Sequence, residues 1–207
     1  MQTVTRIVLL MHTKEFRYQK CTTGRLTVLN LANSEIIPGV DFEEHPRFRA
    51  LADDPQNYPV LLYPGQGAMD VGRGELTAAL PAHRRLVVFI VDATWHCSRK
   101  VVRLSPTLQR LPRISLTPQT PSRYTIKRQP SPWCLSTLEA THELLLALEL
   151  CGLDAYPDKE RLIAAFHGMQ DFQVRQINSA RTRAGYRVRG KREPLAPEGG
   201  GPEPPLI

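Results

Sequence analysis

Two short runs of residues in this chain have side chains suited to chemistry. The first run is Asp92-Ala93-Thr94-Trp95, which follows the apolar stretch Leu86–Val91. The second run is Leu135-Ser136-Thr137-Leu138-Glu139-Ala140, which opens a stretch of strongly helical composition. A carboxylate can accept a proton, and hydroxyl groups at a helix start can hold an anionic group together with free backbone N–H groups. Both runs are therefore candidates for a reactive site.

Each run also has a purely structural interpretation. Asp92 is suited to cap a helix that starts near Trp95, and Ser136-Thr137-Leu138-Glu139 has the spacing of a capping box. Trp95 is suited either to core packing or to stacking on a base, and Thr94 to a hydrogen bond with a ligand or with the loop backbone. The local sequence leaves these alternatives open.

The apolar pattern predicts the elements that position the two runs. Short buried strands are predicted at Val4–Met11, Val60–Tyr63, Leu86–Val91 and Arg113–Leu116, with a further candidate at Tyr124–Ile126. Helices are predicted at Trp95–Leu104, about Thr137–Cys151 and about Asp158–Ile177. This alternation predicts an α/β fold, a single domain with a largely parallel sheet. Ligands bind outside the carboxyl ends of strands in such sheets, where Asp92 is expected.

Charge and composition narrow the class of partner. The chain has 207 residues and a formal net charge of +7, which suits a polyanionic partner. Between Gln173 and Arg192 several cations and no acidic residue occur, including Arg175, Arg181 and Arg183. A basic segment at 179–192 that contacts RNA phosphates is therefore a hypothesis. The proline- and glycine-rich residues 193–207 are predicted to be a disordered tail.

Cysteine and histidine spacing gives no sign of a metal site or a disulfide scaffold. None of the four cysteines forms a CxxC pair. The longest strand-like apolar run, Leu86–Val91, is far too short to span a membrane. We expect a cytoplasmic protein with no membrane association, and the sequence indicates no obligate protein partner.

The two runs together resemble the DxTW and STLEA motifs of the DTW-domain family, the tRNA-uridine aminocarboxypropyltransferases. The resemblance continues through segments between and before them, from about residue 5 to 178, and residues 1–178 are expected to form the domain. The supporting segments are Thr23-Gly24-Arg25-Leu26, Leu61-Leu62-Tyr63-Pro64-Gly65 and Ser122-Arg123-Tyr124-Thr125-Ile126-Lys127-Arg128-Gln129-Pro130. The resemblance implies a fold related to the SPOUT methyltransferases, with a knotted cofactor site.

The resemblance also implies a reaction, the transfer of a 3-amino-3-carboxypropyl group from S-adenosylmethionine to N3 of a tRNA uridine. In that reaction Asp92 accepts or orients the N3 proton, with Thr94 beside it. The co-substrate contacts would come from two groups of residues: Leu62, Tyr63, Pro64, Gly65 and Trp95, and Ser136, Thr137 and Glu139. Glu139 is expected either at the co-substrate ammonium or in the helix cap.

RNA contacts are expected from Arg25, Lys127 and Arg128, in addition to the C-terminal arginines. Lys127 stands where the family commonly has arginine, which puts a bidentate contact there in doubt. Relatives often carry a cysteine cluster where this chain has only Cys21, so no structural zinc is expected. Two other functions stay open: an S-adenosylmethionine-dependent RNA methyltransferase, and a noncatalytic RNA-binding protein.

Overall fold

A computed structural model describes residues 1–127 and 129–183 of the chain. Its described strands, six in all, are β1 (Arg6–His12), β2 (Ser34–Gly39), β3 (Asn57–Leu62), β4 (Met69–Asp70), β5 (Arg85–Asp92) and β6 (Arg113–Ser115). They form one parallel sheet in the order β2-β1-β5-β3-β6-β4. The predicted α/β fold with a largely parallel sheet is confirmed.

The helices of the described residues connect these strands. They are α1 (Thr13–Tyr18), α2 (Thr23–Asn30), α3 (Pro46–Ala52), α4 (Glu75–Ala79), α5 (Trp95–Leu104), α6 (Pro106–Arg110), α7 (Thr137–Leu150) and α8 (Lys159–Arg183), with a 3₁₀ turn at Val71–Arg73. None of these described helices is long and apolar enough to cross a membrane.

Alternating strand residues divide the core into two layers. In β1, Ile7 and Leu9 belong to one layer, which includes Leu144 of α7 and Phe166 of α8. Val8 and Leu10 belong to the opposite layer, with Phe48 of α3 and Val101 of α5. Since both faces of the sheet are covered, β1 and β5 are nearly continuous apolar runs rather than alternating ones.

The structure corrects the sequence prediction at several elements. β2, with Pro38 near its end, and the short helices α1 to α4 and α6 were not predicted. β3 begins at Asn57 rather than Val60, and Tyr124–Ile126 is not a strand because Thr125 bonds the side chain of Gln170 instead of a neighbouring strand. The predicted tail 193–207 lies outside the described residues.

The carboxyl ends of β1, β5 and β3 lie side by side at one edge of the sheet, because the three strands are parallel neighbours. Met11 of β1 pairs in register with Asp92 of β5. Leu62, the last residue of β3, pairs with Ile90 on the other side. The chain segments that follow these three strands therefore converge around Asp92.

Candidate active site

Asp92 is the last residue of β5, and it is buried, with 8% of its surface exposed. The Thr137 hydroxyl donates a hydrogen bond of 2.7 Å to Asp92 Oδ1. The two runs of the sequence therefore meet through their side chains, although 45 residues separate them in the chain. A strand end holds the carboxylate rigidly, and a helix start supplies its hydrogen-bond donor.

The second carboxylate oxygen, Asp92 Oδ2, is buried and has no hydrogen-bond partner within the described residues. Burial raises the pKa of Asp92, because it disfavours the charged form, and the Thr137 hydrogen bond opposes this by favouring the carboxylate. A buried carboxylate with a free oxygen and a raised pKa is a stronger proton acceptor than an exposed aspartate.

Gly24 of α2 makes room for that oxygen. A Cβ atom at position 24 would lie 2.0 Å from Asp92 Oδ2, closer than any real contact. Glycine is thus required here by close approach rather than by backbone conformation. The segment Thr23-Gly24-Arg25 is therefore placed directly against the carboxylate.

A cavity of about 380 Å³ opens at this edge of the sheet. Most of the residues predicted to contact substrate or co-substrate line it, namely Leu62, Tyr63, Pro64, Asp92, Thr94, Trp95, Ser136 and Thr137, and so does Lys127 of the predicted RNA contacts. Gly65 does not line it but lies one residue beyond Pro64, with a φ of +153°. The structure brings nearly the whole predicted set to one place.

Two aromatic rings form part of the cavity wall. Tyr63 and Trp95 have ring centroids 6.4 Å apart and an interplanar angle of 54°. Both side chains are half-buried, so neither is enclosed in the core. The Arg113 guanidinium lies 5.8 Å from the Tyr63 centroid. Thr94 is the N-cap of α5, and its hydroxyl accepts a hydrogen bond from the Cys97 N–H at 3.4 Å.

The start of α7 carries the capping box that its sequence predicted. Ser136 Oγ accepts from the Glu139 N–H, and Glu139 Oε2 accepts from the Ser136 N–H at 2.9 Å. Glu139 also accepts from the Ser122 hydroxyl at 2.8 Å and from the Arg123 N–H at 2.6 Å. It therefore joins the loop before α7 to the helix and lines a separate cavity of about 200 Å³. Its contact with a co-substrate ammonium stays a prediction.

The predicted RNA contacts are spread over several elements. Arg25 donates to the backbone oxygens of Phe16 (2.7 Å) and Gln19 (3.3 Å), so its guanidinium also braces the α1–α2 connection. Lys127 bonds Glu15 at 3.2 Å and Gln19 at 2.8 Å at the cavity rim. Arg175 is exposed on α8. Arg181 and Arg183 lie in the last turns of α8, where side chains are not described, and Arg128 and residues 184–192 lie outside the described residues.

The sequence analysis missed the residues that follow β1. His12 lies at the end of that strand and accepts a hydrogen bond from the Lys14 N–H through Nδ1, and Glu15 lines the cavity. No strand order was predicted from the sequence, so nothing showed that β1 is the neighbour of β5 and ends next to Asp92. Tyr124, another unpredicted lining residue, has its pKa raised to about 12, mainly by burial.

Comparison with known proteins shows the family of the chain. The model of the DTW domain matches residues 1–174. The chain belongs to the DTW domain family. This DTW protein is 26% identical over 175 residues to the tRNA-uridine aminocarboxypropyltransferase 2 of Drosophila melanogaster. The match covers 82% of this chain and 65% of that relative. No solved structure matches the chain significantly.

The histidine, cysteine and acidic side chains of this DTW protein are of the types that bind metals. Within the described residues, no three histidine, cysteine, aspartate or glutamate side chains form a group that could hold a metal ion. The four cysteines are free, and Cys97 and Cys134 adjoin the two runs in sequence. The chemical groups at the cavity include the carboxylates of Asp92 and Glu15, the Lys127 ammonium, the His96 ring, hydroxyl groups, aromatic rings and the N-terminus of α7.

Proposed function

We propose that this DTW protein transfers the 3-amino-3-carboxypropyl group of S-adenosylmethionine to N3 of a tRNA uridine, with 5′-methylthioadenosine as the by-product. The single observation that carries the proposal is the 2.7 Å hydrogen bond between Thr137 and the buried Asp92, at the wall of a ligand-sized cavity. The name of the Drosophila relative supports the same reaction.

The residues present fit the co-substrate. A volume of about 380 Å³ lies in the range of small-molecule sites. The N-terminus of α7, with Ser136 and Thr137 on the cavity wall, is suited to a carboxylate because its N–H groups and helix dipole favour negative charge. Tyr63 and Trp95 offer ring faces to the adenine or to the target base.

S-Adenosylmethionine supplies the electrophile, a methylene carbon bound to a positively charged sulfur. The bond from uridine N3 to that carbon forms as the carbon–sulfur bond breaks, and the electron pair of the broken bond leaves with the sulfur. The N3 proton passes to the carboxylate of Asp92, which Thr137 holds in place. Burial raises the pKa of Asp92 and so makes it a stronger base than an exposed aspartate.

The remaining parts of the proposal concern the RNA and the fold. We propose that Lys127, Arg175 and the C-terminal arginines of the basic segment contact tRNA phosphates, since such contacts need cations but no particular sequence. We also propose that the parallel sheet is related to the SPOUT fold. No specific observation favours methyl transfer as a second candidate reaction. The by-product distinguishes methyl transfer from aminocarboxypropyl transfer.

The test is mass spectrometry of nucleosides and by-product after the full-length protein is incubated with S-adenosylmethionine and unmodified bulk tRNA. Aminocarboxypropyluridine with methylthioadenosine is the expected result. Methylated nucleoside with S-adenosylhomocysteine would instead identify a methyltransferase. Failure of both products, with tRNA binding retained by wild type and by Asp92→Ala alike, would favour a noncatalytic RNA-binding protein.

A further inference from the structure

Two helices beside the cavity, α1 and α5, carry exposed cations that have no carboxylate partner. Lys14 and Arg17 of α1 and Arg99 and Lys100 of α5 are exposed, and none forms an ion pair within residues 1–127 and 129–183. Some arginines elsewhere are paired with carboxylates, among them Arg6, Arg47, Arg49, Arg85 and Arg110, whereas others in the described part of the chain, such as Arg84, Arg161 and Arg175, form no ion pair. Helices α1 and α5 therefore present unpaired positive charge beside the cavity.

The topology places these two helices together. β1 and β5 are parallel neighbours, and α1 and α5 begin just after their carboxyl ends. Lys14 and Lys100, one from each helix, both act on His12, whose pKa is lowered by burial first and by these two charges in addition. The cations of α1 and α5 thus converge on one region beside the cavity, where Glu15 and His96 line the wall.

An exposed aromatic side chain belongs to the same region. Tyr18, the last residue of α1, is 80% exposed, although a tyrosine ring usually finds packing partners. Phe16 on the same helix is partly covered by the Arg25 guanidinium, which lies 4.7 Å from its ring centroid. Cations beside an open aromatic ring are the combination that holds a nucleic-acid backbone and an unstacked base.

We propose that this α1–α5 surface, formed by Lys14, Arg17, Tyr18, Arg99 and Lys100, binds the RNA strand that carries the target uridine. The cations contact backbone phosphates, and the Tyr18 ring stacks on an unpaired base. The inference rests on the proposed function for its choice of RNA. Glu15, the acidic residue of α1, forms an ion pair with Lys127 at 3.2 Å, which reduces its repulsion of a phosphate.

The experiment compares two charge-matched triple variants of the full-length protein. One is Lys14→Gln/Arg17→Gln/Lys100→Gln, and the control is Arg6→Gln/Arg84→Gln/Arg85→Gln, three cations at or near the amino ends of β1 and β5. Binding of unmodified bulk tRNA is measured over a series of salt concentrations. We expect the α1–α5 triple variant to weaken tRNA binding about tenfold or more and to reduce the slope of log affinity against log salt concentration by about 2 to 3. The control variant should change both quantities little.

Tyr18 is tested by two further variants. Tyr18→Ala is expected to weaken tRNA binding about tenfold, and Tyr18→Phe to bind like wild type, because a stacked ring needs no hydroxyl group. In turnover assays the KM for tRNA is expected to rise for the first triple and for Tyr18→Ala. The kcat at saturating tRNA and the affinity for S-adenosylmethionine stay unchanged.

The outcomes separate this inference from the proposed function. Equal weakening by both triples would show an effect of net charge alone and overturn the inference, as would wild-type binding by the first triple. A wild-type protein that makes no aminocarboxypropyluridine, but whose tRNA binding depends on these residues as expected, would overturn the reaction and support the surface.

Discussion

The charged groups at the amino ends and at the carboxyl ends of the parallel strands differ in their partners. We call these two sides of the sheet the amino edge and the carboxyl edge. At the amino edge, Arg85 pairs with Asp54 at 3.3 Å, and Asp154 accepts from the N–H groups of Val4 and Thr5 at 2.8 Å each. At the carboxyl edge, the buried Asp92 keeps an oxygen without a partner. These charged groups at the amino edge have partners within the fold, whereas Asp92 Oδ2 at the carboxyl edge is left available to a ligand.

The general lesson is that a buried carboxylate with one oxygen unpartnered costs stability and needs another reason to be present. In Asp92, the hydrogen bond from Thr137 satisfies Oδ1, but Oδ2 is buried without a partner, so the carboxylate is not there for stability alone. Its presence at the end of a central strand therefore points to function. The following predictions test this contrast between the edges, beginning with the largest effect.

Asp92→Asn should reduce the transfer rate by about 10²- to 10⁴-fold, because the amide cannot accept the uridine proton. The rate is measured as methylthioadenosine release at saturating tRNA and S-adenosylmethionine. Retention of near wild-type kcat by this variant would refute the role of Asp92 as proton acceptor.

The same variant also tests the burial of the charge. Because the folded state raises the pKa of Asp92, folded wild type holds its proton more tightly than the unfolded chain does. This tighter proton binding stabilises the folded state fully below the pKa of Asp92 in the unfolded chain, about 3.9. The stabilisation is lost as pH rises through the pKa of Asp92 in the folded state. In denaturant titrations, the unfolding free energy of Asp92→Asn relative to wild type should therefore increase with pH across this window.

Gly24→Ala should reduce the rate about 100-fold, since the added methyl group displaces the Asp92 carboxylate by more than an ångström. It should also destabilise the protein, although alanine in a helix is normally about 1 kcal/mol better than glycine.

The matched control for Gly24→Ala is the same change in an Asp92→Ala background, where the displaced oxygen is absent. There the substitution should be stabilising, which chemical denaturation measures as a change of sign in a double-mutant cycle. Additive effects in the cycle would contradict the close approach of Gly24 and Asp92.

Thr137→Val should lower the rate about tenfold and move the acidic limb of the pH–rate profile to higher pH. The Thr137 hydrogen bond lowers the pKa of Asp92, so its loss raises that pKa further and delays ionisation. Thr137→Ser keeps the hydroxyl and should keep the wild-type profile. An unshifted limb in the valine variant would mean that Thr137 contacts only the co-substrate.

Arg85→Gln at the amino edge should have the smallest effect. Its ion pair with Asp54 is largely exposed, and exposed pairs contribute about 0 to 1 kcal/mol to the unfolding free energy. Activity well below the melting temperature should match wild type. A loss of activity here would remove the functional distinction between the edges.

The elements with strong local patterns were predictable from sequence. Helix α5 has the predicted bounds Trp95–Leu104, and β5 extends the prediction by one residue at each end. An apolar run of β-branched residues and a strong helix start leave few alternatives. The meeting of Asp92 with the second run was expected only from the family resemblance, because a contact across 45 residues leaves no local pattern.

The elements that were missed depend on their neighbours for stability. β2 contains Pro38 and is the outermost strand on one side of the sheet. A missing N–H is tolerated in an outermost strand, and strand propensity there is weak. Helix α1 has only six residues and no buried side chain, so its formation depends on the His12 cap and on β1. The unpaired cations of α1 were consequently not assigned to the site.

Asp92 lies on a strand that should open much more rarely than the helix α1 beside the cavity. β5 is hydrogen-bonded on both sides, to β1 and to β3, so its amide hydrogens should exchange with solvent only when the whole domain unfolds. Helix α1 is short and exposed, and its amides should exchange through local fraying. Helix α1 can therefore change its conformation around a bound RNA repeatedly, while β5 holds the Asp92 carboxylate in one geometry.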